Sequence, residues 1–174
     1  KTPIIVCGAA GRMGQRIIAT ILDHAEAKLA GATESCESPF LGQDVALVAG
    51  REANHVMIND RLEKTISSED VTISFAIPEA SMQHLEIAAS QGKGIVIGTT
   101  GFNEEQKIQM EAYAKKIPIV FAPNMSVGVN VMWKIIEEAA SVLGEHFNVS
   151  VSETHHTKKI DAPSGTAVKI GEVL

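Results

Sequence analysis

Apolar residues recur with two different periods along the first 123 residues of the chain. Short, uninterrupted apolar runs predict buried strands in PIIVCG, AKLAGATES, VTISFAIP, GIVIGTT and IPIVFAP. Between them, apolar residues come every three or four positions, which predicts helices in GRMGQRIIATILDH, EASMQHLEIAASQGK and NEEQKIQMEAYAKK. Strands that alternate with helices predict an α/β fold whose parallel sheet carries helices on both faces, so that its strands are buried on both sides.

Local signals place some of the boundaries. Pro78 ends the third strand, and Gly92 ends the helix that follows it. Asn103 begins the next helix, with Gln106 three residues later as the partner in a capping box. Residues 37–65 are polar and weakly periodic, and we predict only loops and a short helix there.

The pattern changes after Pro123. A long amphipathic helix is predicted from near Ser126, then an alternating strand in FNVSVSETHH and a final helix in GTAVKIGEVL. One strand and two helices are too few for an independent sheet domain. We therefore predict a first domain over residues 1–123 and the beginning of a second, incomplete domain over residues 124–174.

Composition narrows the class of protein. The chain has 174 residues, of which 45% are hydrophobic, and a net charge of −6. This content predicts a folded protein, and the acidic charge argues against a general nucleic-acid binder. No apolar run approaches the roughly 20 residues of a membrane span, and no signal-peptide pattern opens the chain. Cys7 and Cys36 fit free thiols in a reducing compartment, so we expect a cytoplasmic protein.

The segment VCGAAGRMG is a candidate nucleotide site. It places Gly8, Gly11 and Gly14 between a strand and a helix, where glycines allow a tight turn and a helix N-terminus attracts a pyrophosphate. Glu34, about 20 positions further at the end of the second strand, fits the acid that binds a ribose diol. Ser35 follows where a basic residue would favour NADPH, which indicates NADH. The alternative is a purely structural turn.

Two further turns follow apolar strands, Gly98–Gly101 and Ala122–Ser126. Ligands of open parallel sheets bind at the carboxyl ends of the strands. Both turns are therefore expected beside the glycine turn, although either one alone could be an ordinary loop.

The segment ETHHTKKIDAPSGTA, Glu153–Ala167, concentrates polar chemistry. Ser164 is a predicted N-cap, and Ser164, Gly165 and Thr166 at a helix start could bind a carboxylate or phosphate, with Lys159 adding positive charge. The alternative is a solvated loop.

The paired histidines of this segment would point to opposite faces of a strand. A metal site with Glu153 and Asp161 stays open, but no H-x-x-x-H spacing supports it, and we predict none. A histidine near a lysine is better suited to proton transfer.

Four motifs together resemble one family. GAAGRMG, IGTTGF, APNMSVGVNV and E-x-HH-x-x-K-x-DAPSGTA are similar, in order and spacing, to the 4-hydroxy-tetrahydrodipicolinate reductase (dihydrodipicolinate reductase) family. The resemblance runs from Ile4 to the last residues. It implies a Rossmann-type doubly wound parallel sheet, followed by a mixed α/β domain for substrate and tetramer contacts that would continue beyond this chain. It also implies NADH- or NADPH-dependent reduction of a cyclic dicarboxylate in lysine and diaminopimelate biosynthesis. The alternatives are another two-domain NAD-dependent dehydrogenase and a module that binds NAD without catalysis.

The resemblance also implies roles for individual residues. His155 would be the catalytic acid or base, and Lys159 a proton donor or polarising charge. The substrate would bind to His156, Ser164, Gly165 and Thr166. The cofactor would contact Gly8, Ala9, Ala10, Gly11, Arg12, Met13, Glu34, Gly98, Thr99, Thr100, Ala122, Pro123, Asn124 and Met125.

The chain departs from the family pattern in one segment. Family members usually carry DFT at the end of the third predicted strand, where this chain has Ser74 and Ala76 in SFA. Ile77 stands where many members have a polar or basic residue.

Overall fold

The structure is a computed structural model that describes residues 1–67, 70–155, 157 and 162–174. Its strands are β1 (Thr2–Cys7), β2 (Ala27–Thr33), β3 (Ile58–Asn59), β4 (Val71–Ser74), β5 (Ile95–Ile97) and β6 (Ile119–Phe121). Its α-helices are α1 (Arg12–Asp23), α2 (Val45–Val48), α3 (Pro78–Ser90), α4 (Glu104–Ala114), α5 (Val127–Leu143) and α6 (Gly165–Val173). Among the described residues, no helix is long and apolar enough to cross a membrane.

The six strands of the described residues lie parallel in one sheet, in the order β3-β2-β1-β4-β5-β6. This order confirms the predicted doubly wound α/β fold, and its direction reverses beside β1. The register aligns the strand ends, because Cys7 pairs with both Thr33 and Ser74, and Ser74 pairs with Ile97. The turns that follow β1, β2, β4 and β5 therefore start at one edge of the sheet.

Side chains of β1 enter cores on both faces of the sheet. Val6 packs with Ile18 of α1, while Ile5 and Cys7 pack with Leu62 on the opposite face. Successive residues of a strand point to opposite sides, so an apolar strand such as β1 needs a cover on each face. A third cluster joins α3 and α4 to β5, with Leu85 as one of its fully buried members.

The predicted local signals are confirmed. Pro78 is the first residue of α3, where its missing N–H costs nothing, and Gly92 follows the helix with a φ of 67°. Asn103 Oδ1 accepts a hydrogen bond from Gln106 N at 2.8 Å, and Gln106 Oε1 accepts one from Asn103 N at 3.0 Å, which completes the capping box. The polar region contains the predicted short helix as α2.

Three details of the predicted sheet are wrong. Strand β3 is absent from the predicted elements, because two residues in a polar region give no periodic signal. Strand β4 ends at Ser74, three residues before the predicted end. Strand β6 is not buried on both sides: Val120 is 57% and Phe121 40% exposed, and because successive side chains point to opposite faces, neither face of this edge strand is fully covered.

Contacts divide the chain into two compact units, residues 1–121 and 122–174. The second unit contains α5 and α6, with Trp133 as its buried aromatic residue among those described. The strand predicted over FNVSVSETHH is wrong: none of residues 147–155 is in a strand. A strand needs a hydrogen-bonded neighbour, and the described residues of this unit offer no other strand. The roles predicted for residues 1–123 and 124–174 stay predictions.

Candidate functional site

The turn between β1 and α1 has no room for side chains. Gly8 has a φ of 76°, and a Cβ there would lie 2.3 Å from the carbonyl oxygen of Phe75. A Cβ on Gly14 would lie 2.1 Å from the carbonyl oxygen of Gly8. Because Gly8 and Gly14 have no side chains, α1 and the segment after β4 can lie directly against the backbone of this turn. Gly11 caps α1 without a side chain, so the first-turn N–H groups, which include those of Arg12 and Met13, have no intrahelical partner.

Glu34 connects the second strand to this turn. Its Oε2 accepts a hydrogen bond from Ala10 N at 2.9 Å, and its Oε1 accepts one from Ser35 N at 3.1 Å. Ala9 N bonds to the carbonyl of Thr33 at 3.1 Å. The predicted acid therefore lies beside the predicted pyrophosphate turn.

A cavity of about 580 Å³ opens at this edge of the sheet. It brings together three predicted cofactor residues, Gly8, Gly11 and Glu34. The wall also contains residues that the sequence analysis did not assign to a site: Thr33, Cys36, Asp60, Leu62, Phe75, Ala80, Gln83 and His84. None of the described residues that line the cavity is a lysine or arginine.

The turn after β4 forms part of the cavity wall. Phe75 N donates to the carbonyl of Cys7 at 3.1 Å, which ties the turn to β1. Its ring fills the space beside Gly98, where a Cβ would lie 2.0 Å from the ring. The Phe75 turn, defined as Phe75–Ile77, therefore separates the glycine turn from the end of β5. Ile77, the last residue of this turn, is 65% exposed and also lines the cavity.

Behind the Phe75 turn lies a cluster of buried hydroxyl groups. Ser81 Oγ is 2.7 Å from Thr99 Oγ1 and 3.2 Å from Ser74 Oγ. Ser74 Oγ is also 2.9 Å from His84 Nδ1. Thr99 Oγ1 donates to the carbonyl of Ala76 at 3.0 Å and accepts from Ala76 N at 3.2 Å. The Thr99 side chain is thus committed to protein, and any contact with a nucleotide would use its backbone.

Two titratable groups near the cavity are neutral at neutral pH. Burial lowers the pKa of His84 to about 4, against the carboxylates of Glu63 and Glu34, which raise it. Burial also raises the pKa of the Cys7 thiol to about 12. Cys7 is therefore no nucleophile at neutral pH, and His84 acts as an uncharged imidazole.

In the second unit, Glu153 has polar contacts with Ser164 and His155 among the described residues. Its Oε1 accepts a hydrogen bond from Ser164 N at 2.8 Å, and its Oε2 accepts another from the Ser164 hydroxyl. His155 Nδ1 lies 3.5 Å from Glu153 Oε2. Ser164 Oγ caps α6 by accepting from Ala167 N at 3.1 Å, as predicted. The Ser164 N–H, one of the predicted anion-binding groups, is thus already bound to a carboxylate of this chain.

The same unit joins two predicted sites. Asn124 Nδ2 lies 3.4 Å from Thr166 Oγ1, so the turn predicted for the nicotinamide meets the helix predicted for the substrate. Asn130 Nδ2 holds this turn by donating to the carbonyl of Asn124 at 3.1 Å. Gly165 is partly buried at the start of α6.

The other residues predicted to contact cofactor, substrate or metal lie after β5, at the start of the second unit, or outside the described residues. Thr100 is exposed after β5, and Ala122, Pro123 and Met125 belong to the segment that opens the second unit. His156, Lys159 and Asp161 lie outside the described residues. Within the described part of the chain, no three His, Cys, Asp or Glu side chains are grouped as a metal site would require.

Sequence reasoning missed the wall after β4 and the role of Glu153. The rule that ligands bind at the carboxyl ends of parallel strands points to Phe75, which is the middle residue of the segment SFA at the end of the third predicted strand. No local signal indicates that His84 reaches back to Ser74 or that Glu153 reaches Ser164. These are contacts between separate elements.

The sheet order and the glycine turn define a doubly wound α/β protein of the dinucleotide-binding class. The family description "Dihydrodipicolinate reductase, N-terminus" matches residues 2–125, and "Dihydrodipicolinate reductase, C-terminus" matches residues 128–174. The chain therefore belongs to the dihydrodipicolinate reductase family.

Relatives agree with this assignment. A protein of Geobacter sulfurreducens named 4-hydroxy-tetrahydrodipicolinate reductase is 49% identical over 173 residues, which are 99% of this chain and 65% of the relative. One of Syntrophotalea carbinolica with the same name is 48% identical over 98% of this chain and 64% of the relative. The chain thus spans about 64% of the length of such relatives.

Solved structures show the same fold. The dipicolinate-bound dihydrodipicolinate reductase of Paenisporosarcina sp. TG-14 superposes with a TM-score of 0.74 at 27% identity, over 99% of this chain and 64% of that chain. Biliverdin reductase of Synechocystis sp. PCC 6803 has a TM-score of 0.62 at 13% identity, over 83% of this chain and 44% of that one, a likeness of fold alone.

Proposed function

We propose that the protein to which this chain belongs is an oxidoreductase that reduces 4-hydroxy-tetrahydrodipicolinate with NAD(P)H, in lysine and diaminopimelate biosynthesis. The observation that carries the proposal is 48–49% identity, over nearly the whole chain, to relatives that bear the name of this reductase. The polar groups around the glycine turn and the start of α6 supply the chemistry that such a reaction requires.

The first unit fits a dinucleotide. The absent Cβ atoms of Gly8 and Gly14 leave the turn tight enough for a pyrophosphate to approach the backbone. The N-terminus of α1 adds partial positive charge, and Arg12, which is exposed, adds a full one. Glu34 lies where a ribose diol would donate hydrogen bonds to it. When bound, the cofactor supplies the hydride.

NADH is the preferred form of the cofactor in this proposal. Glu34 and Asp60 both line the cavity. A 2′-phosphate there would meet carboxylates, with no lysine or arginine among the described lining residues to pair with it. Ser35 leaves this charge pattern unchanged.

Charge-changing variants test this preference. Glu34→Gln combined with Ser35→Arg should lower the ratio of NADPH to NADH dissociation constants at least tenfold, because repulsion is removed and a phosphate partner is added. Isothermal calorimetry with both nucleotides measures it. Glu37→Gln is the control, since it removes an exposed acid that does not line the cavity. An unchanged ratio in the double variant would contradict the assignment of Glu34.

The second unit would receive the substrate. With Ser164 bound to Glu153, the N–H groups of Gly165 and Thr166 remain at the start of α6 for a substrate carboxylate. The similar Paenisporosarcina protein was solved with dipicolinate, which is a dicarboxylate. His156 is proposed as a further substrate contact.

His155 and Lys159 are proposed to manage the proton. The carboxylate of Glu153, 3.5 Å from Nδ1 of His155, favours a proton on that nitrogen and leaves Nε2 to exchange one with the substrate. Lys159 would polarise the ring that accepts the hydride. Preorganised charge of this kind stabilises a transition state without rearrangement during the reaction.

The wider assignments follow from the same proposal. Residues 1–123 would bind the nucleotide, and residues 124–174 would begin the domain for substrate and subunit contacts. We propose a cytoplasmic homotetramer for the full-length protein. Sedimentation of that protein would measure its subunit number.

Turnover of the full-length protein tests the mechanism. His155→Gln and Lys159→Ala should each lower kcat about 100-fold or more, because general acid–base catalysis contributes 10²–10⁴-fold. NADH affinity should stay within about twofold, since neither residue belongs to the nucleotide unit. The control is His146→Gln, an exposed histidine after α5. Wild-type turnover in both variants would refute these roles.

A further inference from the structure

Four polar side chains behind the Phe75 turn form a continuous series of hydrogen bonds. Ser74 and Ser81 are fully buried, and Thr99 is 5% exposed. Together with His84 they link the end of β4, the first turns of α3 and the end of β5. Each hydroxyl carries one proton and can donate one hydrogen bond, so the donor and the acceptor of each bond in this series can be assigned.

Only one arrangement of protons makes every contact a hydrogen bond. The carbonyl of Ala76 can only accept, so the Thr99 proton points to it, and Ser81 must then donate to Thr99. The Ser81 proton is thereby used, so Ser74 donates to Ser81. Ser74 has no proton left for the imidazole, and His84 must donate to it from Nδ1.

The chain of donors ends on the wall of the nucleotide cavity. Ala76 belongs to the Phe75 turn, and the Thr99 hydroxyl bonds to both its N–H and its carbonyl group. The carbonyl of Phe75 in turn lies where a Cβ of Gly8 would collide with it. The backbones of the Phe75 turn and the glycine turn therefore lie close together, and Phe75 N also bonds to the carbonyl of Cys7 at 3.1 Å, so the position of one turn constrains the other.

We propose that Ser74, Ser81, Thr99 and His84 form a proton-ordered chain that fixes the Phe75 turn as the wall of the nucleotide site. His84 is held as the Nδ1–H tautomer at the head of the chain and is a positioning residue. The positioning role rests on the proposed function, because it concerns the nucleotide that the cavity would bind. The tautomer does not depend on any nucleotide.

The tautomer is measured first, in the full-length protein labelled with ¹⁵N at pH 7.5. Long-range ¹H–¹⁵N spectra distinguish Nδ1–H from Nε2–H imidazoles, and His84→Gln identifies the signals of His84. We expect Nδ1–H in the wild type. Ser81→Ala frees the Ser74 proton for Nδ1, so the population should move towards Nε2–H although His84 is untouched. An Nε2–H tautomer in the wild type, or no change in Ser81→Ala, overturns the proton order.

The positioning role is measured by NADH affinity. Thr99→Val keeps the shape but breaks the chain, and should raise the dissociation constant about tenfold, whereas Thr99→Ser should stay within about twofold. Thr72→Val is the matched control, since the described residues include no hydrogen-bond partner for this buried hydroxyl. Wild-type affinity in Thr99→Val overturns the positioning role alone. Failure of the wild type to bind either nucleotide overturns that role and the proposed function together, and leaves the tautomer result standing.

Discussion

Replacing Gly14 by alanine sets helix propensity against steric overlap. Gly14 lies in the first turn of α1 and is buried, and alanine is the better helix former by about 1 kcal/mol. A Cβ there would lie 2.1 Å from the carbonyl oxygen of Gly8 and 2.8 Å from Ala9 Cα. All of these neighbours are backbone atoms, so α1 and the glycine turn must separate.

The overlap should outweigh the propensity. Overpacking in a close-packed site costs about 1–3 kcal/mol and more where backbone must move, so we expect a net loss of about 1–2 kcal/mol in the free energy of unfolding. Because the shift opens the turn that would bind the pyrophosphate, NADH affinity should fall at least tenfold. Urea unfolding followed by circular dichroism, and calorimetry with NADH, measure the two effects.

Gly171→Ala is the matched control. Gly171 also lies in a helix, α6, but a Cβ there would meet nothing within 4 Å. This variant should gain up to about 1 kcal/mol from propensity alone and bind NADH normally. If Gly14→Ala were as stable as the wild type and bound NADH as tightly, the argument from the close contacts would be refuted.

Two further predictions concern stability. Asp44→Ala should lower the free energy of unfolding by about 2–4 kcal/mol, because the backbone N–H groups that bond to its side chain lose their acceptor. The Asp44 carboxylate caps α2 by accepting from Ala46 N at 2.9 Å, and it also accepts from Asn54 N at 3.1 Å and His55 N at 2.7 Å. Urea midpoints measure the loss, and Asp60→Ala, which removes an exposed carboxylate, is the control. Burial alone would raise the pKa of Asp44, but the backbone donors outweigh burial and the pKa is lowered from 3.8. The stabilisation by this carboxylate should therefore be complete above pH 3.8 and be lost as the pH falls below that value. The pKa of His84 falls from 6.5 to about 4, so the unfolded chain binds the extra proton and stability should drop by up to about 3 kcal/mol between pH 6.5 and 4. A pH-independent midpoint over that window, or an equal slope in His84→Gln, would contradict this assignment.

Much of the fold could be predicted because its signals are local. Apolar runs bounded by Pro78, Gly92 and the Asn103 cap need only their own neighbours in the chain to become strands and helices. The position of Glu34 beside the glycine turn followed in the same way, since parallel strands end at one edge. Strand β3 has no such signal, and the alternation at 147–155 is a misleading one, because a strand also needs a hydrogen-bonded neighbour.

The sequence by itself determined the class of fold, the glycine turn, the cap at Ser164 and the family to which the chain belongs. Those features depend on residue types at short, fixed spacings. Only the tertiary structure decided that His84 heads a hydroxyl chain to Thr99, and that Glu153 occupies the N–H of Ser164. Buried polar groups must find partners wherever the packed chain brings them, and the partner is set by distance in space rather than in sequence.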